Sequence, residues 1–201
     1  MKESCDAVRF NLVQAIGNLK DKSKLDGYEN FIGENITKFS EDESWRVRLM
    51  LAKNIEGILE LINLIQKNYP EIKTIILKAF LKLLQDNEGE VRSMACSKLD
   101  DVGEALCKED NFDKILSCLK NLKSDSLNYV RSSLASNVLS LAPIIGAKKT
   151  NEYIFPVFQE LIKDEDHDIR MVIIKNLDKL NEVVNIDNFV QEMILSLIEI
   201  S

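Results

Sequence analysis

The residue types that usually carry chemistry are few in this sequence and are spaced badly for it. Cys5, Cys96, Cys107 and Cys118 form no C-x-x-C pair, and His167, the single histidine, stands far from all four. A zinc site draws its ligands from closely spaced Cys and His pairs, so this spacing predicts no metal and no cofactor. Cys96 and Cys118 fall inside helical patterns and read as small apolar packers in a reducing compartment. His167 has no cysteine, serine or second histidine beside it with which to build a nucleophilic site, and the chain reads as a non-enzyme. Asn35-Ile36-Thr37 matches a glycosylation acceptor, but the opening MKESCDAVRF lacks the apolar stretch of a secretory signal. The expectation is a cytoplasmic protein, or one that is also nuclear.

Charge narrows the partners. The 201 residues carry 26 Lys and Arg against 33 Asp and Glu, a net charge of −7. Binding to a phosphate backbone needs clustered cations that release counterions, so nucleic acid is not expected as a partner. No apolar run approaches the roughly 20 residues that cross a bilayer, and no membrane partner is expected. Only 7 Gly and 3 Pro are present, too few for a loop-rich chain.

The pattern that positions every other residue is a repeat. An aliphatic residue followed by arginine recurs as Val8-Arg9, Val47-Arg48, Val91-Arg92, Val130-Arg131 and Ile169-Arg170. Six residues before the last four arginines stand Asp42, Asp86, Asp125 and Asp164, with Glu3 at the matching place in the first copy. Three, six and ten residues before those aspartates lie Phe39, Ile36, Ile32; Leu83, Phe80, Ile76; Leu122, Leu119, Ile115; and Leu161, Phe158, Ile154. Such offsets make one apolar stripe on an α-helix of 3.6 residues per turn. A second stripe follows each arginine, running Val8, Leu12, Ile16, Leu19; Val47, Leu51, Ile55, Ile58; Val91, Ala95, Leu99, Val102; Val130, Leu134, Val138, Leu141; and Ile169, Ile173, Leu177, Leu180. Two helices joined by a few residues pack as an antiparallel hairpin, and hairpins at a fixed period stack into a solenoid.

This spacing predicts one array over residues 1–201. It consists of a second helix at about 1–22, full units at about 28–67, 70–107, 111–147 and 150–184, and a further first helix at about 187–201, with Met193, Leu197 and Ile200 on its stripe. The open ends read as an excised middle segment of a longer array. A linker is expected from Leu61 to Tyr69, and kinks are expected at Pro143 and Pro156, where a ring replaces a backbone donor.

Hairpins of 39 to 44 residues bearing D-x-x-x-x-V/I-R resemble HEAT repeats over the whole chain, which implies an all-α, right-handed α-α superhelical solenoid. The phrases Asp42-Glu43-Ser44-Trp45-Arg46-Val47-Arg48, Leu139 to Gly146 (LSLAPIIG) and Asn176 to Val184 (NLDKLNEVV) resemble more closely the central repeats of the scaffolding subunits of protein phosphatase 2A. That resemblance implies a non-catalytic scaffold whose inter-helix turns dock a phosphatase regulatory (B-type) subunit. It also implies that the catalytic subunit is held mainly by repeats this chain lacks. A different HEAT array, such as a nuclear transport receptor, is the alternative; a helical-repeat DNA glycosylase would want a basic groove, against the acidic charge.

Two sets of site residues follow. Asp42, Arg48, Asp86, Arg92, Asp125, Arg131, Asp164 and Arg170 are read as a structural ladder, pairing within a repeat and with the neighbouring one. Taken as exposed pairs they are worth roughly 0.2–1 kcal/mol each, against roughly 2–5 for truncating a buried Ile173. The second set lies in the turns. Trp45, the single tryptophan, has Asp6, Gly89, Asn128 and His167 at parallel positions. With Arg46 beside it, it has the composition of an interface anchor, or else it packs over the neighbouring repeat. Glu43, Glu88, Glu90, Asn128, Tyr129, His167 and Asp168 complete the expected partner-binding set, along an acidic ridge that would steer a basic partner.

Overall fold

A computed structural model describes residues 2–19, 29–65, 69 and 71–176. First helices are α2 (Glu29–Ser40), α5 (Ile72–Leu84), α8 (Phe112–Leu122) and α11 (Phe155–Leu161), the last preceded by a π-turn at Thr150–Ile154. Second helices are α1 (Lys2–Gly17), α3 and α4 (Trp45–Lys53, Ile55–Ile65), α6 and α7 (Gly89–Cys96, Leu99–Leu106), α9 and α10 (Asn128–Asn137, Ala142–Lys149) and α12 (His167–Lys175). First helices stack on first helices and second on second, so two helical layers enclose one continuous core. The array is all α, and no strand occurs among the described residues.

The stripes explain the packing. All twelve first-helix positions named above are buried. The second-helix stripe is buried from Val47 to Ile173, whereas in the first copy only Ile16 is buried: Leu12 and Leu19 are half-buried, and Val8 is 68% exposed, with no described helix before α1 to close on it. Burying a Leu or Ile side chain contributes roughly 1.5–3 kcal/mol. Leu177, Leu180 and the expected helix at 187–201 lie outside the described residues, as does most of the NLDKLNEVV phrase.

Three details depart from the spacing argument. The segment expected as a linker from Leu61 begins as helix, since α4 continues to Ile65 and Leu61 is buried. Leu61–Ile65 holds no proline or glycine to stop the helix. The second helices are broken at one register, six residues beyond each arginine: Asn54, Lys98, Asn137 and Asn176 have φ between −97° and −118° with ψ near zero. At three of these places the asparagine amide donates to a carbonyl four residues back: Met50 at 2.9 Å, Ser133 at 2.7 Å and Val172 at 2.8 Å. An amide that bonds the backbone locally competes with the helical ladder and ends the run. α1 carries Ala15 at that register and runs unbroken. Finally, Pro143 and Pro156 sit in the first turn of α10 and α11, where a missing N–H is tolerated. The irregularity falls beside them, as a 3-10 turn at Val138–Leu141, the π-turn, and Gly146 at φ 78°, a left-handed conformation that suits glycine. The buried Thr150 hydroxyl donates to the Gly146 carbonyl at 2.9 Å and holds that bend.

Candidate binding ridge

The turns between first and second helices line up on one edge of the array, held by one bonding scheme. Each aspartate accepts a backbone N–H two residues on, at 2.9–3.0 Å: Ser44 to Asp42, Glu88 to Asp86, Leu127 to Asp125 and Asp166 to Asp164. These Asx turns fold the short connection. Each arginine donates Nη1 to the carbonyl of its own repeat's aspartate, at 2.7 Å from Arg48, Arg92 and Arg170 and 2.8 Å from Arg131. Its Nε and Nη2 then reach the aspartate of the next repeat as a fork: Arg9 to Asp42, Arg48 to Asp86, Arg92 to Asp125 and Arg131 to Asp164, with Nε bonds of 2.6–2.7 Å. Planar guanidinium and carboxylate match bidentately, which fixes orientation as well as energy.

The direction of pairing is therefore specific. Within a repeat the arginine meets the aspartate's backbone oxygen, and between repeats it meets the carboxylate. The groups are also more buried than a surface reading implies, with Arg131 8% exposed and Asp164 5%. Burial would push Asp125 and Asp164 up, but the facing arginines and the turn N–H groups outweigh it and hold both carboxyls below their ordinary value. In turn Asp86, Asp125 and Asp164 hold Arg48, Arg92 and Arg131 more firmly protonated than usual.

Above this ladder lie the residues expected to meet a partner, brought to one edge but differing in detail. The Trp45 indole is half-buried against the core, and the exposed Arg46 guanidinium lies 5.3 Å from its ring centroid, a cation–π contact. Glu43 is exposed, and its backbone carbonyl faces Arg48 at 3.4 Å. Glu88 and Glu90 stand exposed around Gly89, which has no Cβ because Leu127 and Tyr129 of the next turn occupy that space. Desolvation, and then Glu90, raise the phenol pKa of the exposed Tyr129. Asn128 donates to Asp166 at 3.0 Å, joining one turn to the next; that bond and the Asp168 N–H lower the Asp166 carboxyl. His167 and Asp168 are exposed, with Nδ1 3.7 Å from Oδ1. Sequence reasoning passed over Gly89 as a seat for the next turn, although a lone glycine opening a helix was the visible sign.

Elsewhere, Cys96 is buried and its thiol is pushed up to about 12 by desolvation, which suits a packing role. Cys118 is buried and accepts a bond from the Gln85 amide at 3.2 Å. Lys98 bridges Glu56 at 3.1 Å and Asp101 at 3.2 Å beside a mixed-charge cavity of about 530 Å³ between α4 and α7. Among the described residues no three His, Cys, Asp or Glu side chains come together to hold a metal.

Residues 71–146 match the PPP2R1A-like HEAT repeat family. Over 112 residues the chain is 42% identical to the beta isoform of the 65 kDa regulatory A subunit of serine/threonine-protein phosphatase 2A from Homo sapiens, covering 54% of this chain and 19% of that protein. Its counterpart in Mus musculus is 39% identical over 66 residues, 33% of this chain and 11% of the relative. The chain thus spans about a fifth or less of the length of the curated relatives it matches. With two layers of stacked hairpins and the D-x-x-x-x-V/I-R ladder, the chain is an all-α solenoid that over residues 71–146 is similar to the PPP2R1A-like HEAT repeat family.

Proposed function

We propose that this chain is a non-catalytic scaffold segment of protein phosphatase 2A that presents its ridge of inter-helix turns to a regulatory subunit of the B type. The observation that carries the reading is the ridge itself: ladder bonds hold successive turns in one register, and Trp45 with Arg46 stacked on it stands at one end of that row. A solenoid of this kind offers an extended surface rather than an enclosed site. Trp and Arg supply large contact area and directed bonds, the usual composition of an energetic anchor. Exposed Glu88, Glu90 and Asp168 place negative charge along the same edge, which speeds encounter with a basic surface and weakens with salt. The similarity to 65 kDa regulatory A subunits supports the partner class. The catalytic subunit is held mainly by repeats absent from this segment, and the protein works in the cytoplasm, with nuclear presence compatible.

The test is a titration of a purified B-type subunit, and separately the catalytic subunit, against the chain and against a Trp45→Ala, Arg46→Ala variant whose helix content is checked by circular dichroism. Regulatory-subunit binding that weakens at least tenfold in the folded variant, about 1.4 kcal/mol or more, supports the reading. Equal binding by both forms, or none by either, overturns it.

A further inference from the structure

Tyr129 is the one large apolar side chain that stands exposed in the row of turns, at 42%. Its place is built by two turns together. The preceding turn has glycine at position 89, and a Cβ there would run into the Leu127 side chain and the Tyr129 hydroxyl, so both side chains lie over that turn. On either side of Gly89 stand the exposed Glu88 and Glu90. Desolvation, then Glu90 and after it Asp125 and Glu88, raise the phenol pKa against the pull of Arg92.

Other aromatic rings of the array show what such a ring takes. The Arg46 guanidinium lies 5.3 Å from the Trp45 ring centroid, and the Lys120 ammonium lies 4.7 Å from that of Tyr153. Among the described residues no cation is stacked on Tyr129, although Glu88 and Glu90 place negative charge beside it. The nearby cation, Arg92, is committed elsewhere: its Nε and Nη2 fork Asp125 at 2.7 and 2.9 Å, and its Nη1 holds the Asp86 carbonyl at 2.7 Å. An aromatic face attracts a cation through its quadrupole, and a neighbouring carboxylate attracts the same charge. A guanidinium satisfies both at once, because its plane stacks on a ring while its N–H groups fork a carboxylate.

We infer that Tyr129, with Glu88 and Glu90, is a seat for an arginine side chain of the protein that docks on the ridge. The inference rests on the docking reading above for the protein that brings the arginine, and it adds a second anchor farther along the row from Trp45. The two anchors differ in kind. Trp45 already carries a cation of its own chain, whereas Tyr129 offers a ring and carboxylates that lack one. A partner spanning both meets opposite charge demands at two points, which fixes its direction along the row.

A titration of the full chain, isotope-labelled at tyrosine, with N-acetyl-arginine methylamide tests the seat without any subunit, read from the Tyr129 ring resonances. Saturable shifts at Tyr129 are expected. Glu88→Gln with Glu90→Gln should abolish them, and the citrulline analogue, of the same shape without the charge, should cause none. No shift with arginine, or equal shifts with citrulline, overturns the seat. Binding of the B-type subunit gives the second readout, with circular dichroism checking that each variant keeps its helix. Tyr129→Ala should weaken it roughly fivefold with Trp45 and Arg46 unaltered, and Tyr129→Phe, which keeps the ring, should stay within about twofold. Removing both carboxylates on top of Tyr129→Ala should add little, since the three groups hold one cation. Full additivity, or binding untouched by Tyr129→Ala, overturns the seat and leaves the Trp45 anchor standing. A subunit that binds no form overturns the docking reading, while the arginine titration still decides the seat.

Discussion

The turn edge and the interior of the second helices follow opposite rules. Along the turns, the Asx bond, the arginine-to-carbonyl bond and the cross-repeat fork recur with nearly the same lengths from Asp42 to Asp164. Along the second helices the break comes at one register but its form differs between units: a one-residue break at Asn54, a Ser97-Lys98 break, and a 3-10 turn after Asn137 followed by a left-handed Gly146. Repetition is kept where register between units is set. Variation gathers where register is already fixed and only local shape remains to be settled.

Four changes break or sharpen that contrast. The largest effect should come from the core both regions share: Phe80→Ala, at a side chain closed to solvent, should cost about 3–5 kcal/mol in urea unfolding. Next, Arg131→Ala leaves the Asp164 carboxylate without its forked guanidinium partner at a nearly buried site and should cost on the order of 2–3 kcal/mol, between the values for exposed and buried pairs. A loss under about 0.5 kcal/mol would mean the ladder orders the turns without stabilising them. On the variable side, Gly57→Ala drives a methyl into the Gly17 backbone, which cannot yield as a side chain would, and should cost about 1–3 kcal/mol. The smallest effect is expected at Asn137→Ala, within about 1 kcal/mol, because the lost amide bond is offset by better helix propensity.

The ladder also predicts a pH window. Asp125 and Asp164 titrate below their unfolded value, so the unfolded chain binds protons first as pH falls. Their contribution is fully present above about pH 5, and it disappears as the pH drops through the lowered folded values, below about 4. Urea midpoints at about pH 7, 4 and 3 should fall in that order, and Asp164→Asn should flatten the acid limb.

Much of this was legible in the sequence because a helix stripe and a solenoid period are both spacing signals. The twelve first-helix positions carry burial in their offsets alone. Val8 shows the limit of such a reading: its register is that of a core residue, but burial needs a neighbour that the residue itself cannot supply. The breaks at Asn54 and Asn137 escaped for another reason. The apolar stripe runs straight through them, and stripe counting is blind to an amide bonding backward to its own backbone. The fork escaped in direction too, since an aspartate six residues from an arginine is an equally good partner on paper, and only the antiparallel turn aims the guanidinium at the next unit. On the ridge, Trp45 and Arg46 could be picked out by type, whereas the seating of Tyr129 over Gly89 depends on two turns a repeat apart.

The repeated fork has a mechanical corollary. An edge tied at every step by paired bonds of 2.6–3.0 Å is nearly inextensible, while the helix layers behind it are joined by apolar contacts that can slide. The array then flexes like a fan about its rivet line, with the turns as the line of rivets. A protein gripping that line meets constant spacings however the solenoid bends, and one bridging the far side feels each change in curvature as a change in distance.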